Sequence, residues 1–166
     1  MEALMRRPMF AGLTLGVVVA LGSCTDNVGI TVSEHFVATL SGANSRPTPI
    51  TSSATGTADF KYIADIGTLV YRIDVASIDS VFLAHIHGPA DTGATAGVVL
   101  NLFVPAAPKG LGFTGTLAQG VGGDLGAPVG MTMDSLLVLM RNGHAYVNVH
   151  TRAHPGGEIR GQVVKQ

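Results

Sequence analysis

Residues 145–164 read AYVNVHTRAHPGGEIRGQVV, and the reading of this stretch decides the fold class. Its opening alternates: Ala145, Val147 and Val149 point one way, and Tyr146, Asn148 and His150 the other. That period of two marks a strand with one apolar face. Pro155-Gly156-Gly157 interrupts it, since proline withholds a ladder donor and glycine accepts turn dihedrals. Alternation then resumes over residues 158–164. The stretch predicts a terminal β-hairpin, residues 145–151 against 158–164.

The same pattern recurs outward along the chain. Residues 35–40 place Phe36, Ala38 and Leu40 on one side. Residues 58–63 and 68–76 form a hairpin about Asp65-Ile66-Gly67, with Leu69, Tyr71, Ile73 and Val75 on one face and Arg72 and Asp74 on the other. Residues 81–87 make a strand with Phe82, Ala84 and Ile86 on its core face, stopped by Gly88-Pro89. Residues 97–104 and 113–118 are two more. Residues 41–53, 105–112 and 119–130 carry the Gly, Pro, Ser and Thr content of loops. One segment departs: Met133, Leu136, Leu137 and Met140 recur at helical spacing, with Thr132 to cap and Asn142-Gly143 to stop. The expected fold class is all-β, an antiparallel Greek-key sandwich or barrel of about eight strands with one short helix.

The amino end is of another kind. Arg6 and Arg7 precede an uncharged apolar run, Met9 to Gly22, too short to span a bilayer as a helix, which takes roughly 20 residues. It reads as a secretion signal. Leu21-Gly22-Ser23-Cys24 resembles the bacterial lipobox, which makes Cys24 the expected lipidation site and lipid-anchored mature terminus. Thr25 in place of aspartate favours the outer membrane of a bacterial envelope. The expected organisation is a signal over residues 1–23, a tether over 24–31 and one β domain over 32–166. Cys24 is the only cysteine among 166 residues, so no intrachain disulfide supports the domain. The 10 basic and 11 acidic residues form no basic run, which argues against a nucleic-acid partner.

Chemistry concentrates in the histidines. In Ala84-His85-Ile86-His87-Gly88 the two imidazoles share a strand face, with Cα atoms about 7 Å apart, and can converge on one ion. His150 closes the first strand of the terminal hairpin and His154 lies in its turn. His85, His87, His150 and His154 are the expected metal ligands, suited to copper or zinc because imidazole is the donor and no thiolate is available. Glu158 and Asn148 are candidates to accept or donate behind them and fix a ring tautomer. Glu158 and Arg160 share a face and are expected to pair as ions. His35 and His144 read as surface residues. No Gly-x-Ser-x-Gly elbow, phosphate loop or paired carboxylates occur, and no catalytic residue is assigned.

The segments FVATLSGANSRP, ATGTADF, LVYRIDV, AHIHGPA, GVVLNLF and GHAYVNVHTRAHPGGEIRGQV occur in the order of the chordin-type (CHRD) domain family, which the chain resembles over about residues 34–164. The resemblance implies an extracytoplasmic β-sandwich or barrel, in bacteria often a secreted or lipid-anchored module. One departure stands out: the family motif SGxxExP carries a glutamate where this chain has Ser45 and Arg46 before Pro47. A looser similarity, His-x-His on a strand with distant histidines, links the pattern to copper/zinc superoxide dismutase at the level of fold analogy. The expectation is a lipid-anchored, metal-binding domain. The alternatives are a non-catalytic adhesion module contacting a protein or surface ligand through loops 41–53 and 105–112, and an oxidoreductase.

Overall fold

The computed structural model describes residues 31–166. The expected signal segment, Cys24 and the tether up to residue 30 lie outside the described residues. Nine strands and one helix follow: β1 (Glu34–Ser41), β2 (Thr55–Ile63), β3 (Thr68–Ile78), β4 (Val81–His87), β5 (Val98–Phe103), β6 (Phe113–Val121), α1 (Met133–Arg141), β7 (Tyr146–Thr151), β8 (Ile159–Gln162) and β9 (Val164–Lys165). The sheet runs β5-β4-β7-β8-β1-β2-β3-β6, with β9 also on β1, and its pairs are antiparallel. The path nearly closes into a barrel. Its terminal strands β5 and β6 face each other across Tyr71, whose hydroxyl donates to the Leu102 carbonyl at 2.8 Å.

Alternation explains the core. Phe36, Ala38 and Leu40 of β1, Ala58 and Phe60 of β2, and Leu69, Ile73 and Val75 of β3 are buried in one cluster. Ala84 and Ile86 of β4 and Val147 and Val149 of β7 join it. Outward-facing neighbours pair across the surface: Arg72 Nε donates to Asp74 Oδ2 at 2.6 Å, and His35 Nε2 lies 2.5 Å from Asp59 Oδ2. β6 runs three residues further than expected, because Gln119, Gly120 and Val121 pair with Arg72, Tyr71 and Val70.

The helix forms where the spacing put it. Thr132 Oγ1 accepts from the Ser135 N–H at 3.2 Å, satisfying one of the donors a helix start leaves free. Leu136, Leu137 and Met140 are fully buried. Its last residue, Arg141, pairs with Glu34 of β1, and so does Lys165 of β9. The Arg141 guanidinium, helped by Lys165, holds the Glu34 carboxyl down at about 2.

One strand expectation is corrected. The register slips between Val81 and Leu83 where β4 meets β7. Val81 takes the core position, whereas Phe82 is half-buried with its ring 6.3 Å from that of His150. A bulge of this kind re-aims the side chain beside it.

The feature that creates a site is on β7. All six of its residues are buried. Val147 and Val149 face the core, and Tyr146, Asn148 and His150 face outward yet are only 2%, 7% and 8% exposed. Loops cover that polar face.

Candidate metal centre

The register across β4, β7 and β8 lays out the polar face row by row. His85 stands opposite Asn148 and Asn148 opposite Arg160; His87 stands opposite Tyr146 and Tyr146 opposite Gln162. His150 pairs with Leu83, one step diagonally from His85, within reach for rings on one face of an antiparallel pair. Three segments close over these rows. The β4–β5 connection supplies Ala90, Asp91 and Ala96, the β7–β8 turn supplies Pro155 and Gly156, and the β1–β2 loop supplies Ser45 and Ser52.

His85, His87 and His150 gather under this cover. One ligand nitrogen from each lies within 4.8 Å of the others. Ring centres are 5.0 Å apart for His85 and His150, 5.6 Å for His85 and His87, and 5.8 Å for His87 and His150. Backbone carbonyls set two of the tautomers. His87 Nδ1 lies 3.0 Å from the Ala96 carbonyl, and His150 Nδ1 lies 2.8 Å from the Pro155 carbonyl. A carbonyl only accepts, so both Nδ1 atoms carry the hydrogen and both Nε2 atoms keep a lone pair. His150 Nε2 lies 3.2 Å from His85 Nδ1, while His87 Nε2 is buried and has no partner.

Burial is the main influence on the protonation of all three. It pushes His85 down to about 4, with the positive charges that His150 and His87 would carry adding to the effect. It lowers His87 against the pull of the Ala96 carbonyl, with His150 and Arg160 adding to the lowering. It lowers His150 against the Pro155 carbonyl. The rings are therefore neutral at neutral pH, the form in which imidazole binds a metal.

His154 is not part of this group. The turn closes tightly on itself: the His154 N–H donates to the Thr151 carbonyl at 3.1 Å, and the Gly157 N–H donates to the His154 carbonyl at 2.9 Å. What the turn contributes to the cluster is the Pro155 carbonyl. Gly157 permits this closure, with φ at +116° and a Cβ there falling 2.1 Å from the Asn148 amide.

Asn148 and Glu158 also take other partners. Asn148 Nδ2 donates to the Gly156 carbonyl at 3.0 Å, and its Oδ1 is buried without a partner. Glu158 accepts from Ser52 Oγ and Thr151 Oγ1, both at 2.6 Å. It thus locks the β1–β2 loop to the hairpin, with no ion pair to Arg160. Ser45, where the family motif has glutamate, is buried and donates to the Glu158 carbonyl at 2.9 Å.

Two residues gain a role that the sequence reading did not give them. The Tyr146 ring stacks on His87 at 5.0 Å and 10°, and its hydroxyl bonds the Ala96 N–H at 3.0 Å and the Ala96 carbonyl at 3.2 Å. The Arg160 guanidinium lies 3.6 Å from the centre of the same Tyr146 ring. The period of two already placed Tyr146 on the His150 face; the partners came only with the register.

The model of the CHRD domain matches residues 36–163, a span that includes every strand of the cluster. The chain belongs to the CHRD domain family. No curated protein and no solved structure matches it. Within this CHRD domain, the segments AHIHGPA and YVNVHTRAHPGGEIRGQ both lie inside the matched span and supply the three histidines that meet.

Proposed function

We propose that this CHRD domain binds a transition metal, copper or zinc, through His85, His87 and His150, leaving one coordination position to water or an external ligand. The carrying observation is the buried His87 Nε2, a lone pair with no partner, beside two further neutral imidazoles within 4.8 Å. An unpartnered buried polar atom costs roughly 1–3 kcal/mol, and a cation at the centre of the three rings would recover that. Carbonyls behind His87 and His150 supply the orientation that metal-bound histidines require. Three imidazoles with an open place match the donor set of accessible zinc and copper sites.

The test is elemental analysis of the mature, tag-free domain, joined to thermal melting with and without copper or zinc. The reading expects one metal per chain, a raised Tm on metal addition, loss of both in His87→Ala, and retention of both in His154→Ala. Metal well below one equivalent, with melting unmoved by either ion, defeats it.

A second reading, a binding module that uses its loops, draws support from Leu111, 81% exposed in the β5–β6 connection. The same experiment separates the two, since that module has no need of metal. The reading also includes attachment to a bacterial envelope through a lipid on Cys24. Incorporation of a labelled fatty acid into the native chain and its absence in Cys24→Ser is the expected result. Equal labelling of both would end it.

A further inference from the structure

Arg160 lies beneath the same loops, on the side of Tyr146 away from His87. It is 2% exposed. Its Nη2 donates to the Asp91 carbonyl at 2.9 Å, and its Nη1 is buried with no partner. No carboxylate pairs with it among the described residues. Burial weighs against the protonated guanidinium and Arg46 adds to that, with Tyr146 and Asp91 acting the other way; Asp91 Oδ1 itself accepts from the Gly93 N–H at 2.9 Å. A buried guanidinium without an anion is costly, because desolvation is offset only when charge and hydrogen bonds are both met.

A second orphan lies in the neighbouring row. Gln162 Nε2 donates to the Ala90 carbonyl at 2.7 Å and the Gly143 carbonyl at 2.6 Å. Two acceptors on one side fix which end of the amide is nitrogen. Oε1 is therefore the acceptor, and it is buried without a donor. Arg160 and Gln162 line one small cavity of about 90 Å³ with Asn44, Arg46 and Thr92, well above the ~15 Å³ that a single water needs. Arg46 brings a second guanidinium. Its Nη1 donates to the Ala43 and Ser45 carbonyls at 3.1 and 2.8 Å, which steadies the side chain without neutralising it. The residues lining the cavity thus carry two positive charges, and two of them, Arg160 and Gln162, each hold a buried unmatched atom, one an N–H donor and one an oxygen acceptor.

We propose that this cavity binds a small oxyanion that carries a proton, of the hydrogencarbonate or hydrogenphosphate class. Arg160 and Arg46 supply the charge and donate to its oxygens, and its O–H donates to Gln162 Oε1. A fully deprotonated anion such as sulfate satisfies only the first half. The site is independent of the histidine cluster's occupancy, although Tyr146 touches both Arg160 and His87.

The experiment uses the mature domain, freed of metal and dialysed out of chelator, in a chloride buffer of fixed ionic strength. Phosphate, hydrogencarbonate and sulfate are added separately, and the melting temperature and binding heat are recorded. Saturable one-to-one binding of phosphate or hydrogencarbonate is expected, with sulfate about tenfold weaker for want of one hydrogen bond. Which of the two protonated anions binds tighter identifies the source. Arg46→Glu, at a partly exposed position, places a tethered carboxylate at the cavity and should fold while losing the response. His87→Ala should keep the response, which separates this site from the metal centre. Three results each overturn the proposal: no saturable binding of either protonated anion, sulfate binding as tightly as phosphate, or an undiminished response in folded Arg46→Glu. Should Arg46→Glu fail to fold, the wild-type heats alone decide.

Discussion

Acidifying the metal-free domain should begin to destabilise it below about pH 6.5, before carboxylates titrate, and His85 should carry much of the effect. The ring is buried and held to about 4, against 6.5 for an ordinary histidine. As pH falls below 6.5 the unfolded chain takes up the proton first, so it binds more protons than the folded one and stability falls with pH. The loss from this group is complete near pH 4. At about 1.4 kcal/mol per pKa unit, it amounts to about 3 kcal/mol, a sizeable share of a domain's total stability. Denaturant unfolding at fixed ionic strength between pH 7.5 and 4 measures it directly. His85→Asn is the matched variant, since its amide N–H can replace His85 Nδ1 opposite His150 Nε2 and does not titrate. The wild type should lose about 3 kcal/mol more than His85→Asn over that range. Equal slopes in the two proteins, or an NMR titration of His85 near 6.5, would refute the claim that burial sets its protonation. Bound metal should displace the transition to lower pH, because proton and metal compete for the same lone pairs.

Three other perturbations test the framework around the cluster. Gly157→Ala should cost about 2–4 kcal/mol in denaturant unfolding, from positive φ and overlap with the Asn148 amide, and adding Asn148→Ala should recover the overlap part. Tyr146→Phe removes the hydroxyl that bonds both polar groups of Ala96; a loss of about 1–2 kcal/mol is expected, with faster amide exchange over residues 90–97 and weaker metal binding in a competition titration. In Glu34→Gln the depressed carboxyl is gone: stability present above about pH 4.5 and lost as pH falls toward 2 should vanish, and neutral-pH stability should drop by roughly 1 kcal/mol, read from melting curves.

How much of the site was legible follows from what kind of information each residue carried. His85, His87 and His150 were readable because strand periodicity fixes a shared face wherever neighbouring residues are apolar, and Ala84, Ile86, Val147 and Val149 left no doubt which face was the core. His154 could not be placed by the same argument. A turn residue has no period, and the position of its ring depends on which backbone groups close the turn. Glu158 shares a face with Arg160 in sequence, yet Ser52, more than a hundred residues earlier, and Thr151 take its carboxylate. Phe82 was assigned to the core by alternation and displaced by a bulge that alternation cannot foresee.

The sequence by itself determined most elements of this CHRD domain, their core face outside the β4 bulge, and the shared strand faces of His85, His87 and His150, because these rest on local periodicity, capping and turn chemistry. That His154 stays outside the group came only with the fold. Tertiary structure alone decided that the outward face of β7 is buried. Loops from three parts of the chain fold over it, and their carbonyls set the tautomers of His87 and His150. Burial and hydrogen-bond partnership are properties of the assembled chain: they depend on which distant backbone groups arrive at a side chain, and no spacing along the sequence encodes that.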